Sequence, residues 1–269
     1  MSDFFKDKVV VVTGGSTGIG RAFVELLLAS GAKVATCARS QSNLDELMTS
    51  LKHPSLFSVA TDVSKQTDCK HFITSVIQHF GGIDIIINNA GISMKGDFKD
   101  TEAEVIKKVM DINFMGMVYC TKYALDSIIE RKGAIVGISS IAGYRGLPGR
   151  SGYSASKFAM NGWLEALRTE LLPTGVNVLW ASPGFTKSNI RQVAIMDGDK
   201  QQGESPLNED KLMTPEECAG RILNAIEKRK RTLVLTLQGK RTVLINKLFP
   251  GLADKLTHKF FYKNGKLIK

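Results

Sequence analysis

The chain has 269 residues, 43% of them hydrophobic, and carries 36 basic against 26 acidic side chains for a formal net charge of +10. That apolar content suffices for one large domain or two small ones, and no run of 18 or more apolar residues appears, so no membrane-spanning helix is indicated. The cysteines (Cys37, Cys69, Cys120, Cys218) form no CxxC, the histidines form no zinc-type spacing, and the start MSDFFKDK has no long apolar stretch; reduced thiols, no metal and a cytoplasmic setting are expected.

KVVVVTG (8–14) is a continuous β-branched run and predicts a buried strand. TGGSTGIGR (13–21) follows it and opens a predicted helix over 19–30, closed by Gly31. Glycines in such a turn let the backbone approach a pyrophosphate, and the helix N-terminus points unpaired N–H groups at the anion. The spacing is Gly14-xxx-Gly18-x-Gly20 rather than GxGxxG. A second strand (33–39), a helix (41–51), a third strand (56–63) and a helix over 65–80 ending at Gly81-Gly82 come next. IDIIINNAG (83–91) is a fourth strand and loop, residues 102–130 give one or two helices, and GAIVGISS (133–140) is a fifth strand. A helix over 153–171 and a sixth strand in GVNVLWASPG (175–184) complete the alternation. Strands that are apolar throughout, alternating with helices, predict an α/β fold: a doubly wound parallel sheet with helices on both faces.

Residues 185–214 are rich in Gly, Pro, Asp, Asn and Gln and read as a loop or lid near the site. Thr214 and Pro215 open a helix over 214–228, and TLVLTL (232–237) suits a last strand. The expected organisation is one domain over 1–238 and a basic amphipathic extension over 239–269. In the extension Leu252, Leu256 and Phe260 recur at i+4 beside Lys255, Lys259 and Lys263, which predicts a helix over 240–262. Residues 221–269 hold 13 of the basic and two of the acidic side chains, leaving the body near neutral. Such a tail suits an anionic surface. No nucleic-acid motif accompanies it and no nucleic acid is expected; peripheral contact with a membrane, a solvated, solubilising end and a helix packed on the domain's own core are the readings that stay open.

In SGYSASKFAM (151–160), Tyr153 and Lys157 are four residues apart on a predicted helix, hence on one face with Cβ atoms about 5–6 Å apart. A phenol titrates near ~10. A neighbouring cation favours the phenolate, so a lowered Tyr153 value is expected, closer to the range where the phenol exchanges a proton with a substrate oxygen.

Taken together, TGGSTGIG (13–20), NNAG (88–91), Asn113, Ser140, YSASK (153–157) and Pro183-Gly184 resemble the short-chain dehydrogenase/reductases, in the same order and spacing from residue 8 to about 188. The resemblance implies a Rossmann-type fold and reversible hydride transfer between a nicotinamide dinucleotide and a carbonyl or alcohol carbon. It makes Tyr153 the acid/base and Lys157 the lysine that bonds the nicotinamide ribose. Ser140 orients the substrate oxygen and Asn113 holds a water in the proton relay. Gly14, Ser16, Thr17, Gly18, Ile19 and Gly20 form the turn over the phosphates. Asp62 with Val63 meets the adenine, and Asn89, Ala90 and Gly91 flank its ribose. Pro183, Gly184, Thr186 and Ser188 match the nicotinamide-binding stretch, although Thr186 stands where Val or Ile is usual. Ala38 replaces the acid of NAD-preferring members and Arg39 suits a phosphate, which implies NADP. Thr17 is not the basic residue some NADP-dependent members carry there. A homodimer or homotetramer is implied, as is a small carbonyl or alcohol substrate. Apolar residues such as Met94, Leu147, Phe185, Ile190, Val193, Ile195 and Met196 point to a lipophilic one. The competing reading is a non-catalytic dinucleotide sensor or scaffold of the same fold.

Overall fold

The computed structural model describes residues 3–196, 202–203 and 212–268. Seven strands pair in parallel among these residues: β1 (Val9–Thr13), β2 (Lys33–Ala38), β3 (Leu56–Ala60), β4 (Ile85–Asn88), β5 (Ala134–Ile138), β6 (Asn177–Ser182) and β7 (Thr232–Val234), in the order β3-β2-β1-β4-β5-β6-β7. Helices α1 (Gly18–Ala29), α2 (Gln41–Leu51) and α7 (Pro215–Glu227) cover one face, and α3 (Gln66–Phe80), α5 (Gly116–Glu130) and α6 (Ser151–Glu170) the other.

The unbroken apolar strands follow from this sandwich. Val10, Val12, Ile85 and Ile87 pack under Phe23 and Leu27 of α1 and Ile222 and Ile226 of α7. Their neighbours Val9, Val11 and Ile86 enter the opposite core with Phe72, Ile73, Cys120 and Leu164. Both parities of β1, β4, β5 and β6 are therefore buried, while β3 and β7 at the two edges are only partly covered; each fully buried side chain contributes roughly 1.5–3 kcal/mol relative to exposure. The chain reverses its direction of travel across the sheet between β1 and β4. In a doubly wound sheet the ligand crevice forms there, beyond the carboxyl ends of the strands.

Three local features differ from the sequence expectation, and a fourth, the stretch 102–130, resolves the choice between one helix and two. The third strand stops at Ala60, because Asp62 Oδ1 accepts from the backbone N–H and hydroxyl of Ser64 and turns the chain. The stretch 102–130 is α4 (Ala103–Met110), a π-helical turn (Asp111–Met115) and α5, with Asn113 in the widened turn. The last strand is cut short by Thr236, which has φ 57° and accepts from Gly239 N to cap α8 (Leu237–Leu248). The predicted tail helix is broken at Phe249, and α9 (Pro250–Phe261) starts afresh. Pro250 has no N–H to donate and disfavours helical backbone in the residue before it.

After α9, β8 (Tyr262–Lys263) and β9 (Lys266–Leu267) form a small antiparallel hairpin. Its turn places Asn264 and Gly265 at φ 50° and 72°, the conformation for which an Asn-Gly pair is the sequence signal. No helix among the described residues is long and apolar enough to cross a membrane. Of the expected lid, residues 197–201 and 204–211 lie outside the described residues.

Candidate active site

The site is built at the reversal between β1 and β4. Gly14 has φ +69°, and a Cβ there would stand 2.9 Å from Ala90 Cα. A Cβ on Gly20 would meet Gly14 O at 2.0 Å. Side chains at either position would force the turn, α1 and the loop after β4 apart. Asn89 locks the three together: its Nδ2 donates to Thr13 O (2.9 Å) and Gly14 O (3.1 Å). Thr13 Oγ1 accepts from the backbone N–H groups of Asn89 and Ala90, both at 3.0 Å.

Thr17 occupies the N-cap of α1 but makes no capping bond with its side chain. The first-turn N–H groups of α1 therefore lack the usual side-chain acceptor, the arrangement that suits a pyrophosphate. Glycines whose missing Cβ atoms open the cradle, and a helix end without its cap, fit a dinucleotide. Ser16 is buried beside the turn, and Ser188 lies against it, 3.7 Å from where a Gly18 Cβ would be. Past β2, Arg39 is exposed and makes no ion pair among the described residues, while Ser40 caps α2. Val63 is buried against Gly116, so it offers no side chain to a ligand.

The other end of the cleft is set by β5 and α6. Ser140 is extended, accepts from Ala142 N (3.1 Å) and starts a short turn. Tyr153 lies in the first turn of α6 and Lys157 one turn on. Lys157 Nζ donates to Ile138 O (2.8 Å) and stands 5.6 Å from the centroid of the Tyr153 ring. Asn113 is fully buried behind Gly91: its Oδ1 accepts from Ile92 N, and its Nδ2 donates to Ile92 O and Ser156 Oγ. A Cβ on Gly91 would come 3.1 Å from Asn113 Oδ1 and 3.7 Å from Lys157 Nζ.

The electrostatics correct one expectation. Burial pushes the Tyr153 phenol above its ordinary value; its hydrogen bond with Ser140 and the charges of Arg150 and Arg191 pull the other way without prevailing. Lys157 is not among the groups that act on the phenol; its ammonium stands over the ring and donates to Ile138 O. Burial also pulls Lys157 down, from 10.5 to about 8.

Ser140, Tyr153 and Lys157 line one cleft of about 380 Å³ with Ile19, Asn89, Gly91, Pro183, Gly184, Thr186 and Ser188. Asn113, Asp62 and Arg39 do not line it. The Thr186 hydroxyl is spent on Gly184 O (3.3 Å).

Sequence reasoning missed the outer wall, where Arg145, Arg150 and Arg191 are joined by Gln238, Thr242 and Ile245 of α8 and Leu256 and Phe260 of α9. Arg145 tethers this cover, donating to Asn246 Oδ1 (3.0 Å) and Asp254 Oδ1 (2.7 Å), while Asn246 Nδ2 donates to Tyr144 O (2.9 Å). Arg150, three residues before the tyrosine, was the one signal a reader could have weighed.

The depressed Lys157 carries a stability cost with a definite sign. Below pH 8 both folded and unfolded states hold the proton and the burial penalty is complete; it is relieved as pH rises from about 8 to 10.5, where only the unfolded chain still binds it. Lys157→Met is expected to be more stable than the parent by ~2 kcal/mol at pH 7, with the gap closing by pH ~10. Urea unfolding across that range checks this, and a gap independent of pH would refute it.

The model for short chain dehydrogenases matches residues 8–197. Dehydrogenase/reductase SDR family member 7B of Mus musculus is 36% identical over 257 residues, spanning 93% of this chain and 80% of that protein. Among solved structures, an alcohol dehydrogenase from the archaeon Thermococcus sibiricus, complexed with 5-hydroxy-NADP, matches with a TM-score of 0.74 and 26% identity over 86% of this chain and 96% of its own. A short chain dehydrogenase/reductase from Burkholderia phymatum, in complex with NAD, shares the fold at a TM-score of 0.83 and 23% identity, with 94% and 96% covered. With a family match over most of its length and a dinucleotide cradle at the reversal of its parallel sheet, the chain belongs to the short-chain dehydrogenase/reductase family of oxidoreductases.

Proposed function

We propose that the protein interconverts a carbonyl and an alcohol with NADP(H), using Tyr153 as general acid/base. The observation that carries this reading is the convergence of Ser140, Tyr153 and Lys157 on one cleft that begins at the glycine turn. When bound, the nicotinamide supplies or accepts the hydride. The chain does the rest. A phenol raised by burial stays protonated at neutral pH and is ready to protonate the oxygen of a carbonyl under reduction. The Ser140 hydroxyl orients that same oxygen, and the charges of Arg150 and Arg191 favour the phenolate left behind. Lys157 would hold the ribose, with its ammonium fixed by Ile138 O. The first turn of α1 would hold the pyrophosphate, and Arg39 a 2′-phosphate.

The preference for NADP over NAD rests on Ala38 and on the exposed Arg39 that follows β2 and makes no ion pair among the described residues. The Thermococcus sibiricus relative is complexed with an NADP derivative and the Burkholderia phymatum one with NAD, so fold likeness does not choose between them. A lipophilic substrate is supported by the apolar wall of Ile141, Leu147, Ile190, Ile245, Leu256 and Phe260. Contact with a membrane surface is supported by α8 and α9. Leu244, Leu248, Phe249, Leu252 and Leu256 are each about half exposed there, among Lys240, Arg241, Lys247, Lys255 and Lys259. Leu256 belongs both to this crest and to the cleft, so such a surface would lie at its mouth.

Tyr153→Phe is expected to lower turnover by ~10²–10⁴-fold while leaving NADPH binding, read by fluorescence, unchanged. Full turnover without the hydroxyl would remove Tyr153 from the chemistry, and a parent with no turnover on any ketone or alcohol would favour the non-catalytic sensor. Arg39→Ala is expected to raise the KM for NADPH by roughly 10-fold or more, the worth of one charge-assisted contact, without moving the KM for NADH; equal effects on both cofactors would argue against a 2′-phosphate contact. For the membrane contact, co-sedimentation with vesicles containing phosphatidylserine should be lost on Leu248→Asp/Leu252→Asp, and a parent that stays in the supernatant would rule it out.

A further inference from the structure

The β8–β9 hairpin reaches back from the far end of the chain to the Tyr153 end of the cleft. Among the described residues, neither large core contains a residue beyond Leu235. A two-stranded hairpin is marginal by itself, and chain ends are poorly ordered unless tied down. Here the hairpin is tied at two points. The Tyr262 hydroxyl donates to Asp97 Oδ1, and this bond to a carboxylate holds the phenol above its ordinary value, so it stays a donor. The Leu267 side chain fills the space that a Cβ on Gly149 would take, and Gly149 has φ +69°, a conformation that favours glycine.

Both contacts fall on segments that pack the Tyr153 ring. The ring lies against a small apolar cluster of Met94, Val105 and Val109, with Ile106 and Ile195 beside it. Met94 belongs to a loop, residues 93–97, that is held by isolated bonds rather than by a ladder. Lys95 N donates to Ile195 O and Ile195 N to Ser93 O, both at 2.9 Å, and Gly96 N donates to Gly149 O (3.0 Å). Arg150 Nη1 adds bonds to Ser93 Oγ (2.8 Å) and Met94 O (3.0 Å). Gly149 and Arg150 lead directly into α6 and its first-turn Tyr153. The hairpin therefore grips the bond between Gly96 and Gly149 from both sides: Tyr262 holds Asp97, the neighbour of Gly96, and Leu267 holds Gly149 itself.

We propose that Tyr262 and Leu267 are positioning residues for the Tyr153 ring, clamping the loop that carries Met94 to the segment that opens α6. This deepens, and rests on, the reading of Tyr153 as general acid/base. Neither side chain lines the cleft; both act through the segments they hold. A displacement of about 1 Å at a reacting group costs on the order of 10²-fold in rate, so a loop free to draw Met94 off the ring weakens proton transfer. The glycine turn and the start of α1 lie at the other end of the cleft, and dinucleotide binding there does not depend on the clamp.

The test uses benzil, an apolar diketone, at saturating NADPH. Tyr262→Phe removes only the hydroxyl and is expected to lower kcat roughly tenfold, the worth of one hydrogen bond to a charged group. The Kd for NADPH and the urea midpoint should stay at the parent values, because a segment outside the large cores opens locally. Asp97→Asn keeps an acceptor and should retain the parent kcat, whereas Asp97→Ala should match Tyr262→Phe. The double variant Asp97→Ala/Tyr262→Phe should be no slower than either alone. Leu267→Ala tests the second contact independently and should also lower kcat. Parent values of kcat in both Tyr262→Phe and Leu267→Ala overturn the proposal, and so does a loss that follows a lowered urea midpoint. Amide hydrogen exchange reads the clamp without turnover: the N–H groups of Lys95, Gly96 and Ile195 should exchange faster in Tyr262→Phe, and those of β1 and β4 should not. Unchanged exchange at Lys95 and Gly96 overturns the clamp. If exchange there quickens while the parent reduces no ketone, the clamp stands and the redox reading fails.

Discussion

Burial of both faces of a parallel sheet constrains everything else in this molecule. Parallel neighbours need helical crossovers, so α1, α2 and α7 close one face and α3, α5 and α6 the other. The carboxyl ends of the parallel strands then lie on one edge, and the reversal between β1 and β4 leaves a gap that no crossover fills. The glycine turn after β1, the Asn89 loop after β4, Ser140 after β5 and Pro183-Gly184 after β6 converge there because the sheet leaves them nowhere else to go. The close approach of Gly14, Gly20 and Ala90, tied by Asn89 and Thr13, is the local consequence of that convergence.

Within the gap, burial rather than pairing sets the acid–base character. The Tyr153 phenol is raised and the Lys157 ammonium is lowered to about 8 for the same reason, loss of water around a group that would be charged. The phenol is thus held protonated, while its hydrogen bond with Ser140 and the charges of Arg150 and Arg191 pull the other way. Asn113 contributes from behind. By bonding Ile92 and Ser156 it ties the loop after β4 to α6, and the widened turn at Asp111–Met115 gives it room to do so. Its side chain is a brace for the cleft's floor.

The last part of the chain is a wall as well as a surface. Arg145 and Asn246 latch α8 and α9 to the segment between β5 and α6, and Phe260 and Phe261 turn into the cleft while Leu252 and Leu256 stay half exposed. The i+4 periodicity of Leu252, Leu256 and Phe260 therefore served two surroundings at once. One stripe on one helix meets both the interior of the site and the solvent, which periodicity cannot distinguish.

Much of the fold was legible because its signals are local. β-Branched runs, the Thr214-Pro215 helix start, the glycine turn and the tyrosine–lysine spacing each lie within a dozen residues, and backbone preference and side-chain period act over that range. The short C-terminal hairpin was also written locally, in Asn264-Gly265, and went unread. What the sequence by itself determined is the order of strands and helices, the dinucleotide turn and the family. Only the tertiary structure decided the direction of the Tyr153 shift, the wall made by α8 and α9, and the placing of Arg150 and Arg191 along one cleft. Burial and electrostatics are sums over every neighbour in space, and here those neighbours, from Ser93 to Phe260, come from segments the chain brings together only on folding.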